Sequence, residues 1–196
     1  MDGKTCLLTV GSTRFDSLVR AFLCPDSLDS LPALGITQVV AQVGNSALPH
    51  GFEEGSTRLP RGLRLRILRF ANDLEEQVGQ AHLVVSHAGA GSILSFLRPL
   101  TESADAPTAH QLEDRALVLV PNSTLMDSHQ ADLAEEMNKK GWATVCWSTE
   151  DLPVTLRQLT TKRDSLARKH NNDGDFQALV DPGKVQRILD EVLGYT

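Results

Sequence analysis

The chain has 196 residues, 41% of them hydrophobic and 22% charged, which is typical of one well-packed soluble globular domain. Its formal net charge of -6 argues against a broad nucleic-acid surface, which requires clustered positive charge. No apolar run approaches the roughly 20 residues of a membrane span, and no signal peptide is predicted. The three cysteines, Cys6, Cys24 and Cys146, are far apart and have no histidine at metal-ligand spacing, so we expect buried free thiols, a reducing compartment and no metal site.

Apolar runs that alternate with amphipathic segments predict a parallel α/β sheet. The predicted strands are Thr5–Val10, Ile36–Val43, Leu63–Phe70, the run that starts at Leu83, Ala116–Val120 and Ala143–Trp147. Helical spacing follows near Phe15 (with Ser12 or Thr13 as a cap), at Asn72 or Asp73, after Gly91, and over 130–140. The fold class predicted is a doubly wound, mostly parallel, six-stranded Rossmann-like sheet.

Four stretches fall outside this alternation. The composition of residues 25–35 predicts a loop or a short helical turn, and that of residues 49–62 predicts a mobile surface loop. Residues 101–115 are predicted to be a polar insertion, and C-terminal helices are expected over 150–195, the last from Pro182 to Leu193. We therefore expect a single domain over 1–196.

The most informative stretch is the run from Leu83 to Leu94, in which an apolar strand ends at Ser86-His87 and two glycines precede an apolar helix. Such a junction predicts an anion site, because glycine admits close approach and the helix N-terminus presents free N–H groups. The glycines at the predicted strand ends are Gly11, Gly44, Gly89 and Gly91. The turn at Gly11 is a second candidate site, or a turn that merely caps a helix.

No dinucleotide fingerprint, Walker loop, nucleophile elbow or Cys-His pair is present, so neither a nicotinamide or flavin nor any other cofactor is expected. The polar residues at the strand ends suit a sugar nucleotide, whose diphosphate needs N–H donors and whose sugars need amide and carboxylate partners. They are Ser12, Thr13, Gln42, Asn45, Ser86, His87, Ser92, Asn122, Asp127, His129 and Gln130.

The run from Ser86 to Leu94 resembles the signature of the small catalytic subunit of the eukaryotic UDP-N-acetylglucosamine transferase, in glycosyltransferase family 28. Three further stretches agree in order and spacing: 10–13, 42–45 and 122–130. The layout is also similar to the C-terminal half of the bacterial GlcNAc transferase of peptidoglycan synthesis, so the resemblance implies a single half of a GT-B enzyme. It covers the chain except Thr101 to Arg115.

The resemblance implies roles for individual residues. His87 would be catalytic and would stabilise the departing diphosphate without a metal. Substrate contacts would come from Gly11, Ser12, Thr13, Gln42, Ala88, Gly89, Gly91, Ser92, Asn122, Asp127, His129 and Gln130. The family pattern has an acid three residues after Ser92, and this chain has Ser95 there.

The resemblance also implies an activity. GlcNAc would pass from UDP-GlcNAc to GlcNAc-diphosphodolichol with inversion, giving chitobiosyl-diphosphodolichol in early N-glycan synthesis. A membrane-anchored subunit would bind the acceptor, dock through the C-terminal helix, and recruit this cytoplasmic chain to the cytosolic face of the endoplasmic reticulum. The alternative for that helix is packing on the chain's own sheet. Two other functions remain open: a non-catalytic sugar-nucleotide-binding subunit, and a self-sufficient hydrolase or epimerase.

Overall fold

The computed structural model describes residues 3–97, 115–122 and 129–159, and its strands form one seven-stranded sheet. The strands are β1 (Lys4–Thr9), β2 (Ile36–Gln42), β3 (Gly55–Arg58), β4 (Arg64–Leu68), β5 (Leu83–Ser86), β6 (Ala116–Leu119) and β7 (Thr144–Val145). Their order across the sheet is β3-β4-β2-β1-β5-β6-β7. Only β3 and β4 pair antiparallel; the other neighbouring strands are parallel.

Helices cover both faces of the sheet. They are α1 (Asp16–Phe22), α2 (Pro25–Ser30), α3 (Leu74–Gln80), α4 (Ala90–Leu97), α5 (His129–Lys139) and α6 (152–159), with short 3-10 turns at Leu31–Leu34, Pro60–Gly62 and Thr149–Asp151. One apolar core joins the sheet to α1, α2 and α6, and a second joins it to α3, α4 and α5.

The alternation of side chains along β1 shows why two cores form. Cys6 and Leu8 pack in the first core, whereas Leu7 packs in the second. Successive side chains of a strand point to opposite faces, so a strand with no polar face must be covered on both sides. This explains the continuous apolar run that predicted the strand.

The doubly wound topology is confirmed, and its switch point lies between β1 and β5. From β1 the chain crosses through α1 to β2 on one side, and from β5 it crosses through α4 to β6 on the other. Because α1 and α4 lie on opposite faces, the turns after β1 and β5 diverge and leave a crevice at the carboxyl ends of the strands. Ligands of open α/β sheets bind at this position.

The expected count of six strands is wrong, because β3 lies inside the segment 49–62 that predicted a loop. All four residues of β3 are exposed, so this strand has no apolar alternation to detect. It is held at the sheet edge by its antiparallel pairing with β4. The neighbouring prediction of a strand with one wet face is confirmed, since Leu65 and Ile67 are buried and Arg64 and Arg66 are exposed.

The predicted N-cap of α1 is also wrong. Neither Ser12 nor Thr13 caps α1, whose N-cap position is Phe15. Thr13 Oγ1 instead donates to the Val10 carbonyl oxygen at 2.6 Å, which tightens the turn after β1. Asp73 does precede α3, as expected, and 25–35 forms α2 and a 3-10 turn.

Several predictions concern residues that the structure does not describe. The insertion 101–115 is described only at Arg115, and of the helices expected over 150–195 only α6 is described. The single-domain organisation over 1–196 and the helix at 182–193 therefore stay predictions. Within the described ranges, no helix combines the length and apolar character needed to cross a membrane.

All three cysteines are free thiols. Cys6 and Cys146 are buried, as predicted, and Cys24 is half-buried. Burial raises the pKa of the Cys6 thiol, so this group stays protonated and packs as a small apolar side chain.

The Arg115 guanidinium ties three segments of the second face together. Its nitrogens donate to the carbonyl oxygens of Val78 at 2.9 Å, Ala81 at 2.9 Å and Phe96 at 3.3 Å. Its carbon lies 4.2 Å from the centroid of the Phe96 ring. Val78 and Ala81 lie at the C-terminal end of α3, where helix carbonyls have no intrahelical partner, and Phe96 lies in the last described turn of α4. Arg115 thus fixes both helices that flank the crevice.

Replacing this guanidinium should destabilise the protein. We predict that Arg115→Ala lowers the free energy of unfolding by about 3 kcal/mol, because hydrogen bonds from charged donors are lost and helix-end carbonyls remain unsatisfied. Arg66→Ala, at an exposed position of β4, is the control and should change it by less than about 0.5 kcal/mol. Urea unfolding measures the free energy of unfolding of both variants. Equal midpoints for the two variants would show that the hydrogen bonds of the Arg115 guanidinium do not stabilise the protein.

Candidate functional site

A cleft of about 280 Å³ opens at the switch point between β1 and β5. Three stretches line it: the turn after β1, the turn after β5 with the first turns of α4, and one face of α3. The lining residues are Gly11, Ser12, Thr13, Leu74, Glu75, Val78, His87, Gly89, Gly91, Ser92 and Ser95. Seven of the predicted site residues are among them: Gly11, Ser12, Thr13, His87, Gly89, Gly91 and Ser92.

The Gln42 side chain lies beneath this cleft and holds the turn after β1. Gln42 is 1% exposed, and its Nε2 donates to the carbonyl oxygens of Gly11 at 2.7 Å and Arg69 at 2.6 Å. Its Oε1 accepts from Gly11 N at 3.0 Å and from Thr9 Oγ1 at 2.6 Å. The amide is thus fully engaged with the protein, and Gln42 acts on the site through the backbone of Gly11.

The turn after β2 supports the turn after β1. Asn45 N donates to the Thr13 carbonyl oxygen at 3.2 Å, and Asn45 Nδ2 to the Ser12 carbonyl oxygen at 2.8 Å. At Gly44, which has φ of 50°, a Cβ would lie 2.6 Å from the Gly11 oxygen and 2.7 Å from the Thr13 oxygen. Only glycine allows the two backbones to approach this closely.

His87 is 7% exposed and forms part of the cleft floor. Its Nδ1 lies 3.4 Å from the Thr9 carbonyl oxygen. A carbonyl only accepts, so Nδ1 carries the proton in this contact, and Nε2 of the neutral ring is an acceptor. Burial lowers the pKa of His87 below its ordinary value of 6.5, against a smaller raising effect of the Thr9 contact. The imidazole is therefore neutral at pH 7 without a ligand.

The glycines on either side of the ring leave room for it. A Cβ at Gly89 would lie 2.5 Å from His87 Nε2, and one at Gly11 would lie 3.2 Å from its Cε1. Ala88, between His87 and Gly89, is buried and has φ of 65°, which a residue with a side chain rarely adopts. Strained backbone of this kind is characteristic of functional turns.

The first turn of α4 presents its amides to the cleft. Ile93 N donates to the Gly89 carbonyl oxygen at 3.2 Å, so the amides of Gly91 and Ser92 precede the first intrahelical bond and have no carbonyl of an earlier turn to use. A Cβ at Gly91 would meet no described atom within 4 Å, and Gly91 does not have the positive φ that favours glycine. The fold therefore does not require glycine at position 91.

One wall of the cleft was missed by the sequence analysis. Leu74, Glu75 and Val78 share a face of α3 and line the cleft, with Val78 also packed in the second core. The signal in the sequence is the helical spacing of these positions, i, i+1 and i+4, directly after a predicted strand. Alone, that spacing indicates only an ordinary amphipathic helix.

Of the predicted residues after β6, Asn122 and Gln130 are described, and neither lines the cleft. Asn122 is 3% exposed, and its backbone N donates to Gln130 Oε1 at 3.3 Å, which joins the end of β6 to the start of α5. Asp127 lies outside the described residues, and for His129 only the helical backbone is described. Across the described parts of the chain, no group of three or more His, Cys, Asp or Glu side chains could hold a metal ion.

The fold and its glycine turns define the class of protein. Residues 5–100 match the glycosyltransferase family 28 C-terminal domain. A crystal structure of MurG from Acinetobacter baumannii has a TM-score of 0.57 and 20% identity, covering 98% of this chain and 50% of MurG. The chain thus has the fold of one half of a GT-B glycosyltransferase.

Curated relatives narrow the class. A "UDP-N-acetylglucosamine transferase subunit ALG13" from Cryptococcus neoformans is 35% identical over 171 residues, covering 76% of this chain and 79% of that protein. The human ALG13 subunit is 33% identical over 144 residues, 73% of this chain and 11% of the human protein. An NMR solution structure of ALG13 has a TM-score of 0.60 at 21% identity and covers 100% of this chain. The chain belongs to the ALG13 family of UDP-N-acetylglucosamine transferase subunits.

The two glycines of the turn should respond differently to alanine. Gly89→Ala should lower the free energy of unfolding by about 1–3 kcal/mol, because the new methyl group displaces the buried His87 ring. Gly91→Ala should leave it unchanged or slightly higher, because alanine favours the helix and the methyl group enters open space. Thermal unfolding compares them, and a loss of stability in Gly91→Ala as large as in Gly89→Ala would refute this difference.

Proposed function

We propose that this chain is the donor-binding catalytic subunit of an inverting glycosyltransferase. It transfers GlcNAc from UDP-GlcNAc to GlcNAc-diphosphodolichol and yields chitobiosyl-diphosphodolichol. The observation that carries the proposal is Gly91, a helix-start glycine that the fold does not need and that faces open space in the cleft. A glycine there is explained by a ligand that approaches the backbone closely.

The UDP diphosphate is the group that the turn after β5 suits best. The free amides of Gly91 and Ser92 can donate hydrogen bonds to an anion, and the dipole of α4 favours an anion at the same end of the helix. Ser12 adds a hydroxyl donor from the facing turn after β1, and Thr13, whose hydroxyl donates to the Val10 carbonyl oxygen, lines the same turn. Donors fixed in advance by the fold stabilise charge that develops on a departing diphosphate.

His87 supplies a proton-dependent contact to that diphosphate. Its Nε2 accepts in the neutral ring, so a hydrogen bond from Nε2 to phosphate requires the ring to take up a proton. A neighbouring anion raises the pKa of the ring and opposes the lowering by burial. The acceptor hydroxyl attacks the anomeric carbon and gives its proton to a base supplied by the partner subunit, while the bond from that carbon to the diphosphate oxygen breaks and the imidazolium stabilises the leaving UDP.

The GlcNAc end of the donor is assigned to Asp127, His129 and Gln130, with Asn122 behind them. Gln130 is joined to the backbone of Asn122 at the end of β6, one strand beyond β5. Amide and carboxylate groups match the hydroxyl and acetamido groups of GlcNAc. Gln42 and Ala88 contribute by shaping the two turns.

A second, membrane-anchored subunit completes the enzyme. A GT-B enzyme closes two halves over its substrates, and the described residues form the fold of one half. The relatives are named as subunits, which implies a partner. That partner binds the dolichol-linked acceptor, docks with the C-terminal helix predicted over 182–193, and recruits this chain to the cytosolic face of the endoplasmic reticulum.

The test is a transfer assay on this chain co-expressed with a membrane subunit, using UDP-GlcNAc and GlcNAc-diphosphodolichol. We expect chitobiosyl product only when both subunits are present. His87→Asn should lower kcat by about 100-fold, the order lost when one preorganised donor to a developing anion is removed. Thermal unfolding of the same variant checks that it folds.

Other outcomes would contradict the proposal in distinguishable ways. UDP-GlcNAc binding without transfer in the co-expressed pair would indicate a non-catalytic binding subunit. Turnover by this chain alone would indicate a hydrolase or epimerase. Wild-type kcat in a folded His87→Asn variant would remove His87 from the mechanism.

A further inference from the structure

We propose that the Glu75 carboxylate on α3 accepts hydrogen bonds from the ribose hydroxyls of the bound nucleotide and is a specificity determinant of the donor site. This inference rests on the proposed function, since it assigns a further part of the same cleft. It concerns the wall of the cleft that α3 forms.

Glu75 is placed in the cleft by the packing of two helices. α3 packs against α4, and the lining residues of α3 are Leu74, Glu75 and Val78. Those of α4 are Gly91, Ser92 and Ser95, spaced i, i+1 and i+4 on one face. The carboxylate therefore borders the same space as the proposed diphosphate donors.

Charge determines which part of a nucleotide Glu75 can face. It is the sole carboxylate among the described residues that line the cleft. A carboxylate repels a diphosphate, so the phosphates lie toward the free amides and Glu75 lies beside a neutral part. A vicinal diol offers two O–H donors to the acceptor-only oxygens of a carboxylate, and such charge-assisted bonds are strong.

Ser95 cannot take this role with equal strength. Its Oγ donates to the Gly91 carbonyl oxygen at 2.8 Å, so its proton is used within the helix. The hydroxyl oxygen can still accept, but as a neutral group. A ribose placed between α3 and α4 therefore finds its stronger acceptor in Glu75.

The direction of the donor along the cleft also favours ribose over the transferred sugar. The residues assigned to GlcNAc follow β6, whereas α3 follows β4 and leads into β5. A donor whose diphosphate lies at Gly91 and whose sugar points toward β6 extends its nucleoside the other way, toward α3.

The neighbouring acid on the same helix turn has a different environment. Glu76 Oε1 accepts a hydrogen bond from Gln80 Nε2 at 3.0 Å and does not line the cleft. Glu75 has no hydrogen bond or ion pair with the described residues. Both carboxylates lie in the first turn of α3 and stabilise the helix to a similar extent through its dipole. Glu76 is therefore a matched control for any effect of charge on folding.

The experiment measures binding of UDP, 2′-deoxy-UDP and 3′-deoxy-UDP to the full 196-residue chain by calorimetry. Wild type should bind UDP about 10-fold more tightly than either deoxy analogue, and Glu75→Gln should lose about 10-fold in UDP affinity. Glu75→Gln should also bind the three ligands with nearly equal affinity. Glu76→Gln should retain the wild-type affinities and the wild-type discrimination.

Discrimination by Glu75→Gln equal to that of wild type would overturn the inference, because it would show that the carboxylate does not contact the ribose. If that result came with an equal loss of affinity for UDP and both deoxy analogues, Glu75 would contact a part of the nucleotide that all three ligands share, such as the base. Failure of wild type to bind any of these ligands would instead overturn the proposed function, and this inference with it.

Discussion

The buried amide of Gln42 is the interaction on which the site depends. It satisfies both the N–H and the carbonyl of Gly11, and it reaches the Arg69 carbonyl that follows β4. A buried polar group left without a partner costs roughly 1–3 kcal/mol, so three strand ends are held by one side chain with every hydrogen-bonding group used. The turn that results seats the His87 ring on one side and faces the cleft on the other.

From this arrangement the glycines separate into two kinds. Gly44 and Gly89 are needed by the fold, because a Cβ at either position would lie within 2.7 Å of backbone oxygen or of the His87 ring. A Cβ at Gly91 would meet no described atom within 4 Å, so the proposed ligand, and not the fold, accounts for this glycine. Hydrogen-bond donors and negative charge also lie on different helices of the cleft. The free amides are at the start of α4, and the Glu75 carboxylate is on α3. This arrangement suits a molecule that has an anionic group in the middle and a neutral part rich in hydroxyl groups.

Most of the fold could be predicted from the sequence because its strands are buried on both faces. The continuous apolar runs of β1 and β5 admit few alternatives, and glycine and serine mark where they end. β3 escaped prediction because its four exposed residues carry no period, and only the backbone of β4 makes them a strand. The insertion of one edge strand left the predicted topology of the others intact.

The site was predictable at its glycine turns and less so in its side chains. A polar residue at a strand end, such as Gln42, is compatible with ligand contact or with holding a turn, and only its four partners in three dimensions identify the second role. Glu75 has the sequence context of an ordinary acid in the first turn of a helix, so its position in the cleft follows from the packing of α3 on α4 and not from its spacing.

The central claim is that a nucleoside diphosphate binds at the switch point with its phosphates on the first turn of α4. A titration of the isotopically labelled chain with UDP, followed through its backbone amide resonances, tests this most directly. The largest shifts should cluster at Gly11 to Thr13 and at Gly89 to Ser92, because these two turns line the cleft. Saturable shifts confined to the amino ends of the strands, or none at these two turns, would contradict the account.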